Sequence, residues 1–142
     1  MKPKKTRIFL LLFSLTMCFL LANGSDSSRK LKFEHFTTDD GLSQNSIRTL
    51  LQCRKGFLWI GTENGLDRFD GYGFKHYRYN RKDSNTISNN FIYDLHEDSE
   101  GLIWIGTNHG LNRLDPSTGN LIHYFSGTGD GSVSHNSVTA IY

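Results

Sequence analysis

Two short turns hold the residues best suited to meeting a small polar molecule: Glu63-Asn64 and Asn108-His109, which occupy matching places 45 residues apart yet differ from each other. A carboxylate, two amides and an imidazole can together accept and donate several hydrogen bonds, although the same residue types also make plain turns. Trp59 and Trp104 offer flat faces on which a sugar ring could stack, but their place inside apolar runs fits packing between structural units. Asp98 and Glu100, beside Gly101, lack the run of oxygen ligands that calcium takes, and a polar hairpin turn accounts for them. His35, His76 and His123 recur at matching positions, as do Arg68-Phe69-Asp70 and Arg113-Leu114-Asp115. Recurrence points to architecture: outer-surface imidazoles, and structural Arg and Asp hydrogen bonds. No catalytic constellation, metal site or cofactor is expected.

The elements that position these residues are themselves repeated. Gly56-Phe57-Leu58-Trp59-Ile60-Gly61-Thr62 returns as Gly101-Leu102-Ile103-Trp104-Ile105-Gly106-Thr107, and Gly65-Leu66-Asp67-Arg68 as Gly110-Leu111-Asn112-Arg113. Self-similarity at such a period marks a unit that buries its faces only by stacking on copies of itself. The Trp59 and Trp104 runs read as strands buried on both faces, and the Gly65 and Gly110 turns return the chain into the next strand. Ser43-Gln44-Asn45-Ser46-Ile47 further aligns with Ser88-Asn89-Asn90-Phe91-Ile92 and Ser134-His135-Asn136-Ser137-Val138. The expected strands a to d run over 45–52, 57–61, 66–69 and 74–79, then over 90–97, 102–106, 111–114 and 121–125. A third a strand begins at 136, and a lone d-type strand, Leu31 to Phe36, leads the set. Four short antiparallel strands per repeat predict an all-β fold of β-propeller blades: two complete blades spanning 45–79 and 90–125, a leading outer strand, and the start of a third. On this reading residues 31–142 are part of an incomplete propeller, the N-terminal fragment of a longer protein. In a propeller, the d-to-a loops (Thr37 to Gln44, Arg81 to Asn89, Gly127 to His135) share one face with the b-to-c turns that carry Glu63, Asn64, Asn108 and His109.

Composition separates the first residues from the rest. Lys2, Lys4, Lys5 and Arg7 precede an apolar run from Ile8 to Ala22, and Ala22-Asn23-Gly24 offers small residues for cleavage. This predicts a signal peptide over 1–24, with an uncleaved anchor as the alternative, and a polar leader over 25–30. The chain's formal charge of +2 belongs to that segment; without it 12 Lys and Arg face 14 Asp and Glu. No basic patch interleaved with aromatics survives, which argues against nucleic acid. Cys53 is then the one cysteine left, so neither an internal disulfide nor a cysteine zinc site is available.

The segment Gly41-Leu42-Ser43-Gln44-Asn45, followed by the Trp59 run and by Gly65-Leu66-Asp67-Arg68-Phe69-Asp70-Gly71, resembles the two-component regulator propeller repeat. Glu97-Asp98-Ser99-Glu100-Gly101 is similar to the acidic turn that this family places before its Trp strand, whereas Gln52-Cys53-Arg54-Lys55-Gly56 has no acid there. The resemblance implies the periplasmic sensor region of a hybrid two-component protein. Its partners would be a small saccharide or other periplasmic ligand, further blades, downstream domains including a histidine kinase, and a second copy in a homodimer. The alternatives are a secreted propeller lyase or hydrolase, a non-catalytic interaction propeller, or a gene fragment.

Overall fold

The computed structural model describes residues 31–142. The expected signal peptide and polar leader lie outside the described residues. Leu31–Glu34 belong to a first unit and are exposed, without regular secondary structure, with Lys32 Nζ 3.0 Å from Glu34 Oε1. The second unit, His35–Tyr142, holds two four-stranded antiparallel sheets. In the first, β1 (Ile47–Gln52), β2 (Leu58–Thr62), β3 (Gly65–Phe69) and β4 (Phe74–Tyr77) pair in sequence order. In the second, β5 (Ile92–Glu97), β6 (Ile103–Thr107), β7 (Gly110–Leu114) and β8 (Leu121–Tyr124) repeat the arrangement. These are the expected a to d strands, their ends moved by one to two residues. Among the described residues the one helical piece is a 3-10 turn, Thr38–Asp40, and no helix is long and apolar enough to cross a membrane.

The central hairpins close identically. Thr62 Oγ1 accepts from the Asn64 amide at 3.0 Å and donates to the Gly65 carbonyl at 2.8 Å; Thr107 does the same with His109 and Gly110, at the same distances. Gly65 and Gly110 sit at φ 124° and 104°, a region that other residues enter only with strain. The inner strands share an irregularity as well. Ile47 pairs with Thr62 but Thr49 with Gly61, and Ile92 pairs with Thr107 but Asp94 with Gly106, so Arg48 and Tyr93 are the extra residues of two matching β-bulges.

The sheets stack through β5, which packs on β1 and β2. Gly61 makes this approach possible, because a Cβ there would lie 2.7 Å from Ile92 Cγ2. Trp59, Leu66, Ile87, Ile92, Leu95, Ile103, Ile105 and Leu114 form the buried core. Residues 136–141 take the same seat on the second sheet that β5 takes on the first: Asn136 O accepts from Gly110 N at 2.6 Å, as Asn90 O accepts from Gly65 N at 2.8 Å. They form no ladder, nor do residues 31–36, since no partner strand for either stands among the described residues. His35 and Phe36 instead lead into the first blade, where the Phe36 ring lies 5.0 Å from Phe69 and 5.8 Å from Phe74.

Candidate functional site

Residues common to both sheets are occupied with holding them together. Trp59 is fully buried, packs at a tilt against Tyr77 with ring centroids 5.5 Å apart, and lies 6.0 Å from the guanidinium of Arg68. Trp104 stacks on Tyr124 at 5.5 Å beneath Arg113. The recurring arginines therefore lie over aromatic rings, Arg113 over Trp104 and Arg68 most closely over Phe57 at 4.5 Å, rather than pairing with the neighbouring aspartates. Those aspartates brace turns: Asp70 accepts from the amides of Tyr72 and Gly73, and Asp115 from the amides and hydroxyls of Ser117 and Thr118. The Ser117 and Thr118 donors hold the Asp115 carboxyl down to about 2, and the two amides hold Asp70 below its ordinary value. Asp98 Oδ2 accepts the Trp104 indole N–H at 2.7 Å while Oδ1 takes the amides of Glu100 and Leu102. The indole bond is the main reason its carboxyl is lowered. The acidic turn thus serves the tryptophan. Among the described residues no cluster of three His, Cys, Asp or Glu could hold a metal.

The histidines of the outer strands stay at the surface, His76 with 43% of its side chain exposed and His123 partly buried, yet each reaches a partner in the preceding loop or strand. Asp67, fully buried, accepts from the Ser43 amide at 2.7 Å and the Ser43 hydroxyl at 2.5 Å, and His76 Nδ1 lies 2.7 Å from the same carboxylate. One imidazole nitrogen touches both Ser43 and Asp67, so the ring does not bridge an acid and a nucleophile as a relay would. The trio anchors the d-to-a loop. In the second blade Asn112 binds the Ser88 amide at 2.8 Å, and His123 Nε2 lies 2.8 Å from the Thr86 carbonyl.

Residues that differ between the blades collect elsewhere. The bulges present Arg48 and Tyr93 on the inner strands, where the Arg48 guanidinium sits 5.2 Å from the Phe91 ring and 5.8 Å from the Tyr93 ring. Arg48 also reaches Glu63, at 3.7 Å, and the Tyr93 hydroxyl reaches Asn108 at 3.3 Å. Of the four residues proposed from sequence, Glu63 and Asn108 therefore join one inner rim. Asn64 is exposed in its turn, and His109 turns outward, 5.4 Å from the Phe125 ring, into a cleft walled by the loop 79–88. Arg48, Phe91 and Tyr93 were not foreseen, because a bulge leaves no mark on apolar periodicity. Their difference between copies was the available signal: Arg48 against Tyr93, and Ser46 against Phe91.

Stacked four-stranded sheets of this order, each offering its innermost strand to the next, are β-propeller blades. Residues 41–64 and 86–109 match the two component regulator propeller family model, each match running from the loop anchor through the inner bulge to the central turn. Two segments of the chain thus match the repeat of that family. It is 45% identical over 78 residues to a histidine kinase of Formosa agariphila, covering 55% of this chain and 5% of the kinase. Among solved structures it is similar to the extracellular domain of a protein described as a hybrid two component system, BT3049, from B. thetaiotaomicron. That match has a TM-score of 0.69 at 31% identity, over 75% of this chain and 15% of that one. The extracellular domain of BT4673 from the same organism matches with a TM-score of 0.55 at 32% identity, over 68% and 14%. The chain thus spans a small part of each relative.

Proposed function

We propose that this chain is part of the exported, ligand-sensing propeller of a two-component sensor, which does no chemistry itself and passes ligand binding to a histidine kinase further along the same protein. The observation that carries this reading is the sorting of residues. Positions shared by the blades are consumed by packing, whereas Arg48, Glu63, Phe91, Tyr93 and Asn108, which differ from their counterparts, meet on one rim. The likeness to a histidine kinase and to extracellular domains supports it.

The ligand is a small saccharide, met by Glu63, Asn64, Asn108 and His109 together with the rim aromatics. Binding favours one arrangement of paired propellers in a periplasmic homodimer and biases the kinase by differential affinity. The test is the full-length protein in membrane vesicles, assayed for phosphate incorporation with glycan fragments. Ligand-dependent phosphorylation that Arg48→Ala and Glu63→Ala abolish is the expected result. A coding sequence that ends after the last blade, with no kinase domain, overturns it.

A further inference from the structure

The turn between β2 and β3 carries a pair whose reactivity the packing keeps in check. Asn64-Gly65 is the one Asn-Gly pair among the described residues, and its counterpart in the second blade is His109-Gly110. An asparagine followed by glycine is the sequence most open to attack on its own side chain, because no Cβ shields the next backbone nitrogen. The Gly65 nitrogen, stripped of its proton, bonds to Asn64 Cγ while the bond from Cγ to the side-chain nitrogen breaks. Ammonia leaves with a proton, and a cyclic imide remains. Water then opens the imide to aspartate or isoaspartate, so the net change is water in, ammonia out and one new carboxylate beside Glu63.

The fold sets the two halves of this pair in different surroundings. Asn64 is exposed, whereas Gly65 is buried and its N–H donates to Asn90 O at 2.8 Å. Asn90 belongs to the segment leading into β5, so the bond that holds the attacking nitrogen crosses the seam between the blades. Asn90 is itself fixed, its Oδ1 accepting from Tyr79 N at 2.7 Å. The turn's other bonds, Thr62 Oγ1 with Asn64 N and with Gly65 O, lie within the first blade and leave that nitrogen alone. Losing the Gly65 proton therefore demands that the seam open locally. Base-catalysed exchange of the same proton with solvent makes the same demand, which gives an independent measure of the gate.

We infer that Asn64 is a latent modification site, converted to aspartate or isoaspartate when the seam between these two blades opens and protected while the Gly65–Asn90 bond is made. The full-length protein is incubated at mildly alkaline pH, native and in urea. Two variants accompany it: Gly61→Ala, which presses on Ile92, and Asn90→Ala, which releases the Tyr79 amide but keeps the carbonyl. Peptide mapping reads conversion at position 64, isoaspartyl methyltransferase labelling reads the branched product, and hydrogen exchange reads the Gly65 amide. Native protein is expected to convert at least about tenfold more slowly than protein in urea. Each variant, shown to be folded by circular dichroism, should raise the conversion rate by the factor by which it raises Gly65 exchange, about tenfold for Gly61→Ala. Equal rates in native protein and in urea, or conversion that stays fixed while Gly65 exchange accelerates, would overturn the inference. So would an Asn64 that remains unconverted in urea.

Discussion

Ile92 and Leu95 on the inner strand of the second blade are 0% and 7% exposed, while Ile47 and Leu50, their counterparts in the first, are 46% and 57% exposed. The local sheets are alike in pairing and register, so the difference is not made within a blade. It is made by the neighbour: β5 lies on β1 and β2, whereas no described residue lies on the matching face of the first blade. The tryptophans show the reverse order. Trp59 is sealed by the second blade, and Trp104, facing only residues 136–141, is half-buried. Each blade therefore supplies half of a core, and the hydrophobic gain from its strands is collected at the seam.

The strongest way to break that comparison is to empty the seam. Trp59→Ala is expected to cost about 3–5 kcal/mol, the range for deleting a fully buried large aromatic, measured by denaturant unfolding of the purified protein. Trp104→Ala reaches the same loss only where a further blade covers it. Equal losses for both tryptophans with the second face bare would place the stabilisation inside each blade instead of at the seam.

Overfilling the seam is the next largest perturbation. A methyl group on Gly61 would stand 2.5 Å from Thr49 Cγ2 and 2.7 Å from Ile92 Cγ2, both held in ladders, so Gly61→Ala should cost about 1–3 kcal/mol. At Gly106 the obstacle is the Val138 carbonyl at 2.6 Å, in a segment held by separate hydrogen bonds to Gly110, Thr107 and Asp94 rather than by a ladder. Gly106→Ala should therefore cost less, and thermal melts of the two variants side by side decide it.

A subtler asymmetry lies in the turn before each tryptophan strand. Asp98 receives the Trp104 indole N–H, but Cys53 holds that place in the first blade, and the buried Trp59 Nε1 has no partner. A buried donor left unpaired costs about 1–3 kcal/mol, so Cys53→Asp should stabilise the protein by about 1 kcal/mol, and Asp98→Cys should lose at least as much. Stability unchanged in both variants would show the indole bond to be energetically silent.

These asymmetries also mark where the sequence was legible. The strands, their order and the central turns followed from the apolar runs and from Gly65 and Gly110, because period and turn chemistry are local. The inner rim did not follow. Arg48 and Tyr93 are aimed by bulges, and a bulge arises from how two strands meet rather than from either strand's own pattern. The anchoring role of His76 and His123 was hidden for a similar reason: Ser43 and the Thr86 carbonyl come from distant loops, and Asp67 from the neighbouring strand. Recurrence set Arg68 and Arg113 apart from the variable residues but suggested hydrogen bonds, where their guanidinium groups lie over aromatic rings.

The smallest expected effect separates the two outer turns by acid. Asp70 accepts two amides, whereas Asp115 accepts hydroxyls as well, and its carboxyl is held near 2 against an ordinary value of 3.8. A carboxyl depressed on folding adds stability that is present above its unfolded value and disappears as pH falls through the folded one. The contribution of Asp115 should thus be intact above about pH 4 and lost between about pH 4 and 2, with Asp70 following the same sign over a narrower span. Both turns are exposed, so solvent keeps the effect small. Melting curves taken across this range should show the acid limb flattened more by Asp115→Asn than by Asp70→Asn. An identical limb in the two variants would mean that the Ser117 and Thr118 hydroxyls add nothing that the amides of the first blade lack.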